Sequence, residues 1–263
     1  MDYVRKMEKS GTFYRDEMYE KNARKFQYDF DNGSLKLLVN NNLFQLLLTV
    51  TEDCNLRCKY CYLTDVYDYT RNRTNANMTF ETAKKAIDMF LENISEISKR
   101  NPGKKAAITF YGGEPLMNFL LIKECVEYVK LKTKVEILFN TTTNGVLLDG
   151  EILDYLIEND FIISVSFDGA KKNHDRNRVF HGNKDSYELI YQRLKNIKHK
   201  YPDYQKVKIV SVIDYETDLT ANVDFFIKHK GILPDLAMIS FVSPTNTRYF
   251  EHITPEIFQE YNL

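Results

Sequence analysis

Three of the chain's four cysteines fall inside the eight-residue stretch CNLRCKYC, as Cys54, Cys58 and Cys61. Three soft thiolates in one loop suit a disulfide with a spare thiol, a zinc site short of one ligand, or an iron–sulfur cluster with one iron left open. The N-terminus, MDYVRKMEKSGTFYRDEMYEK, is charged throughout and carries no apolar leader core. No apolar run is long enough to span a bilayer. A secreted disulfide framework normally sits behind a leader, so the expectation is a reduced, cytoplasmic protein without that disulfide. A structural zinc closes its tetrahedron with a fourth Cys or His. None of the five histidines, His174, His181, His199, His229 and His252, stands at ligand spacing from the loop, though one could supply a ligand across space. An iron–sulfur cube holding four irons would keep one of them open above three thiolates.

Other residues of chemical interest punctuate the ends of apolar runs. Gly112, Gly113 and Glu114 lie in YGGEP, Asn144 in TTNG, Ser166 and Asp168 in SFDG, and Arg178 in HDRNRVF. Paired glycines, Asn-Gly and Asp-Gly also make ordinary turns. Arg178 can grip a carboxylate with its fork or form a surface ion pair. Cys125 falls in phase with Leu121, Ile122, Val126 and Val129 on an apolar helical face, where cysteine packs as a small hydrophobe.

Six apolar strands at 43–51, 106–111, 135–142, 161–167, 207–213 and 236–242 must position these residues. Helical patterns at 79–94, 118–131, 149–159, 186–200 and 222–229 separate them, the first with Thr79 as N-cap and Ala83, Ile87, Phe90, Leu91 and Ile94 on one face. Such alternation requires crossover connections and a parallel sheet. Because the unusual residues follow almost every strand, a partial, TIM-like parallel barrel of six βα units, with one continuous rim, is favoured over an open doubly wound sheet. With 43% hydrophobic and 28% charged residues among 263, the chain can bury a full core. Its net charge of −1 offers no field to gather nucleic acid or anionic membrane, and neither partner is expected.

CNLRCKYC, with Tyr60 just before the last cysteine, followed in order by YGGEP, TTNG, SFDGAKKNHDRNRVF and VKIVSVID, resembles the radical S-adenosylmethionine (radical SAM) superfamily over roughly residues 43–244. The 168–180 segment most resembles the peptide- and protein-modifying branch of sulfatase-maturating enzymes and thioether-forming peptide maturases. The resemblance implies a 4Fe–4S cluster on Cys54, Cys58 and Cys61, whose open iron chelates the amine and carboxylate of S-adenosylmethionine. Reduction, by an external donor of flavodoxin or ferredoxin type, then cleaves that cofactor to methionine and a 5′-deoxyadenosyl radical that takes hydrogen from a peptide or protein residue. It further implies that Gly112 and Gly113 admit the cofactor's methionine end, Glu114 accepts from its amine, Ser166 meets its ribose or carboxylate, and Arg178 pairs with its carboxylate. Tyr60 would cover the adenine, while Asn144 and Asp168 are cofactor contacts or turn residues. No catalytic acid or base can be named. A superfamily enzyme acting on a small molecule, and a zinc-stabilised binding module without catalysis, remain alternatives.

Three regions are expected: residues 1–42, of unassigned role with a hairpin at Asn32–Gly33; the barrel, 43–250; and 251–263, the start of a truncated extension with Thr254 as N-cap and Pro255 at the first helical position. Relatives of the resembled branch usually continue into a cysteine-rich SPASM or twitch region with auxiliary clusters, for which this sequence has no cysteines.

Overall fold

Runs rich in Val, Ile, Leu and Phe form β1 (Gln45–Thr51), β2 (Ala106–Gly112), β3 (Ile137–Thr143), β4 (Ile162–Ser166), β5 (Val207–Ile213) and β6 (Ala237–Phe241). In the computed structural model, which describes residues 43–251 apart from 69, 71, 101, 102, 104, 232, 235, 236 and 244–246, they make one sheet in the order β1 to β6. Every neighbouring pair is parallel. Helices α1 (Phe80–Arg100), α2 (Phe119–Lys132), α3 (Gly150–Glu158), α4 (Lys171–Asn177), α5 (Tyr187–Lys200) and α6 (Leu219–Lys228) fill the crossovers. The fold is a partial, TIM-like parallel barrel. The chain divides into Met1–Asn42 and Leu43–Leu263; the hairpin expected at Asn32–Gly33 and the helix expected from Thr254 lie outside the described residues.

Helix α1 shows why these segments fold as they do. Thr79 Oγ1 accepts the Thr82 N–H at 3.3 Å and so satisfies a first-turn donor. Ala83, Ile87, Phe90 and Ile94 then recur at helical spacing and are fully buried, with Leu91 packed at the margin. Burial of each large side chain is worth about 1.5–3 kcal/mol relative to exposure. Cys125 lies on the matching face of α2 and is inaccessible, and burial pushes its thiol up to about 12. Phe110, Phe139 and Phe161 stack with centroids 5.5–6.4 Å apart between the strands and that helical layer. No helix among the described residues is long and apolar enough to cross a membrane.

The barrel is open between β1 and β6. Residues 247–251, which follow β6, return to the loop after β1: Thr247 bridges Tyr67, and the Arg248 N–H donates to the Val66 carbonyl at 2.8 Å. Tyr249 Oη donates to Asp214 Oδ2, just past β5, at 2.5 Å. Three parts of the rim distant in sequence are thus tied together at the carboxyl ends of the strands.

Candidate functional site

A cavity of about 390 Å³ opens at those carboxyl ends, and its wall contains Cys54, Cys58 and Cys61. Alternate residues from successive strands complete it: Tyr111 of β2, Thr142 of β3, Ser166 of β4, Val210 and Val212 of β5, Ser240 of β6. Tyr60, Gly112, Gly113, Asn144 and Arg178 also line it.

Each cysteine sulfur faces a donor. Cys54 Sγ lies 3.4 Å from the Leu56 N–H and 3.7 Å from the Asn144 side-chain amide, whose other contact is Asn55 Oδ1 at 2.7 Å. Cys58 Sγ is 4.0 Å from Arg178 Nη1, and Cys61 Sγ is 4.0 Å from Arg73 Nη2. Burial nevertheless pushes the Cys58 thiol up to about 12, and it raises Cys54 as well. Thiolates at these positions need more positive charge than the two arginines supply, which is what iron provides. Among the described residues no three His, Cys, Asp or Glu side chains converge on a single-ion site. The three sulfurs instead share the wall of a cavity large enough for a multinuclear group, so the residues fit a cluster.

The paired glycines have a reason visible in the backbone. A Cβ on Gly112, at φ +149°, would lie 2.1 Å from the Thr51 carbonyl oxygen, and one on Gly113 would lie 2.2 Å from that of Asp53. Both glycines let the end of β2 press against the chain entering the cysteine loop, where the Gly113 and Glu114 N–H groups donate to Thr51 and Asp53. Their other side faces the cavity.

Glu114 departs from expectation: it stands behind the wall rather than on it. Its carboxylate is inaccessible and already accepts from Leu116 N–H at 3.1 Å, Thr143 Oγ1 at 2.7 Å and Asn144 N–H at 2.7 Å. It fastens the GGEP turn to the end of β3, and burial moves its pKa up to about 7 against those three bonds. Asp168 is likewise buried and structural in its contacts. It accepts from Tyr60 Oη at 2.5 Å, Arg178 Nε at 2.9 Å and the Val212 N–H at 2.8 Å. Asp168 therefore orients two wall residues, Tyr60 and Arg178, whose ring and guanidinium carbon stand 5.4 Å apart. Burial opposes charge on Arg178, yet Asp168 beside it holds the guanidinium protonated, above its ordinary pKa.

A protein-family model described as the radical SAM superfamily matches residues 48–222. The chain belongs to that superfamily. It is a radical SAM enzyme, and its cofactors are a 4Fe–4S cluster and S-adenosylmethionine. The cyclopropyl synthase TigE of Paramaledivibacter caminithermalis is 29% identical over 202 residues, 72% of this chain and 41% of the relative. A serine-type anaerobic sulfatase-maturating enzyme of Bacteroides thetaiotaomicron is 28% identical over 212 residues, 80% of this chain and 48% of the relative. A solved structure described as native anSMEcpe with bound AdoMet and Cp18Cys peptide superposes with a TM-score of 0.63 at 19% identity, covering 82% of this chain and 57% of that one. The chain thus spans less than half the length of these two curated relatives.

Several wall residues escaped sequence reasoning. Arg73 lies in an irregular loop with no periodicity to mark it, twelve positions after Cys61. Val210, Val212 and Ser240 read as ordinary strand positions, and only the curvature of the sheet turns them toward the cysteines.

Proposed function

We propose that this radical SAM enzyme abstracts hydrogen from a residue of a peptide or protein, in the manner of sulfatase or peptide maturation. The observation that carries the reading is the single cavity in which Cys54, Cys58 and Cys61 meet the ends of β2 to β6. There Cys54, Cys58 and Cys61 would hold the cluster, which with S-adenosylmethionine bound beside it would supply the radical chemistry. The chain's own residues bind and orient. Gly112 and Gly113 present backbone without side-chain bulk toward the cofactor's methionine end. Arg178, steadied by Asp168 and with Nη2 not engaged by it, offers a charged donor to the carboxylate. Tyr60, fixed through its hydroxyl, presents a ring face for adenine. Ser166, Thr142 and Asn144 supply polar contacts along the same wall. Beyond them Val210, Val212 and Val242 add an apolar flank to the same wall.

The relatives support the peptide class: curated ones carry sulfatase-maturating names, three cysteine-type and one serine-type, and a structural neighbour is titled with a bound peptide. The test is anaerobic incubation with S-adenosylmethionine, dithionite and deuterated cysteine- or serine-containing peptides. Deuterium appearing in 5′-deoxyadenosine is the expected result; nucleoside formed without label from any peptide, but with label from a small molecule, would overturn the substrate class. Replacing Cys54, Cys58 or Cys61 by Ala is expected to abolish the cluster's iron and sulfide, while Cys125→Ala retains both and loses on the order of 1 kcal/mol of stability.

A further inference from the structure

Arg73 places a guanidinium beside Cys61. Its backbone N–H donates to the Leu63 carbonyl at 3.0 Å, fixing it in the loop between β1 and α1. Nη1 donates to the Leu56 carbonyl at 3.2 Å, and Nη2 reaches Cys61 Sγ at 4.0 Å. Nε is buried with no hydrogen-bond partner, which costs stability. Arg176, Arg178, Arg193 and Arg248 each face a carboxylate; among the described residues Arg73 faces none.

The two arginines beside the cysteines therefore differ in net effect. Arg178, near Cys58, is offset by Asp168 at 2.9 Å. Arg73, near Cys61, has no carboxylate at ion-pair distance among the described residues, and its charge acts on Cys54 as well. Three thiolates already place negative charge on a bound cube, and one-electron reduction adds more. Hydrogen bonds to the sulfurs and nearby charge are what shift such a potential, and poor screening in a half-buried site strengthens both.

We propose that Arg73 is a positioning residue that raises the reduction potential of the cluster held by Cys54, Cys58 and Cys61, making its reduced state easier to reach. The electron comes from an external low-potential one-electron donor; no bond to Arg73 forms or breaks and no proton moves. The inference rests on those three cysteines being the ligands.

The experiment compares anaerobically reconstituted wild type, Arg73→Gln and Arg73→Lys. Iron and acid-labile sulfide are measured first, and the midpoint potential is then followed by electron paramagnetic resonance in dithionite-poised mediators. Arg73→Gln is expected to load as much cluster as wild type with a midpoint shifted to more negative values, and Arg73→Lys, which keeps the charge but loses the fork, to fall between the two. A fully loaded Arg73→Gln with the wild-type midpoint overturns the proposal. Where Arg73→Gln does not load, Arg73→Lys decides: its single ammonium cannot span Leu56 and Cys61 together, so a negative shift supports the proposal and a wild-type midpoint overturns it. Loss of the cluster in both variants would show that Arg73 only holds the loop, which also overturns it. A wild type that binds no iron–sulfur cluster would sink the cysteine assignment, and the proposal with it.

Discussion

A Cβ on Gly113 would meet the Asp53 carbonyl oxygen at 2.2 Å and that of Glu52 at 2.6 Å, both backbone atoms that cannot swing aside. Gly113→Ala is therefore expected to push the chain entering Cys54 away from β2, costing about 1–3 kcal/mol and lowering cluster loading without touching a ligand. Thermal unfolding and iron content of the variant check it; normal values for both would show that the loop relaxes freely. The cysteines were legible in the sequence because their types and spacing are themselves the chemistry. Glu114 and Asp168 were legible as residues of interest but not in what they touch. Glu114 takes a hydroxyl from Thr143 and an N–H from Asn144, and Asp168 takes an N–H from Val212. Such partners become neighbours only after the strands are laid side by side, so no local pattern announces them.

At the scale of elements, the sequence showed strands and long helices through their apolar periodicity, and missed α4. This helix, KKNHDRN, has no apolar stripe; polar contacts from other elements hold it. Asn173 Nδ2 donates to Asn222 at 2.8 Å, Arg176 grips Asp214 through both terminal nitrogens, and His174 is buried against Phe167 and Tyr187. The His174 Nδ1 accepts the Asp168 N–H at 3.2 Å, so the ring is neutral with its proton on Nε2, toward Ser186. Burial, with Arg178 and Lys171 nearby, holds its pKa well below 6.5. Below that ordinary value the unfolded chain binds a proton that the folded chain refuses. His174 thus costs no stability above about pH 6.5, and stability is lost as pH falls through it, by up to about 1.4 kcal/mol per pH unit. Wild type is expected to lose denaturant stability from pH 7 to pH 5 more steeply than His174→Gln, which starts lower because its packing is poorer. Parallel pH profiles would show the ring to be indifferent. Since α4 leads directly into Arg178, acid loosening of this helix is expected to reach the cavity wall.

On the scale of the whole molecule, one barrel places the cysteines, the glycine turn and the β4 and β5 ends around a shared cavity, which is all that reductive cleavage of the cofactor requires of the protein. Completing a peptide modification asks for more, because a substrate radical must often give up an electron and needs an acceptor within reach. With Cys54, Cys58 and Cys61 on the cavity wall, the remaining cysteine, Cys125, is inaccessible on α2, so this chain has no thiols for a second cluster. The 263 residues alone, given dithionite, S-adenosylmethionine and a deuterated peptide, are therefore expected to release labelled 5′-deoxyadenosine slowly, while the peptide radical, quenched by an electron from dithionite and a solvent proton, returns with one deuterium replaced by hydrogen and no oxidised product accumulates. Chromatography of the nucleoside alongside mass spectrometry of the peptide separates the two steps. Efficient multiple-turnover modification by this chain would mean that the barrel itself, through the open side between β1 and β6, disposes of the electron without any auxiliary cluster.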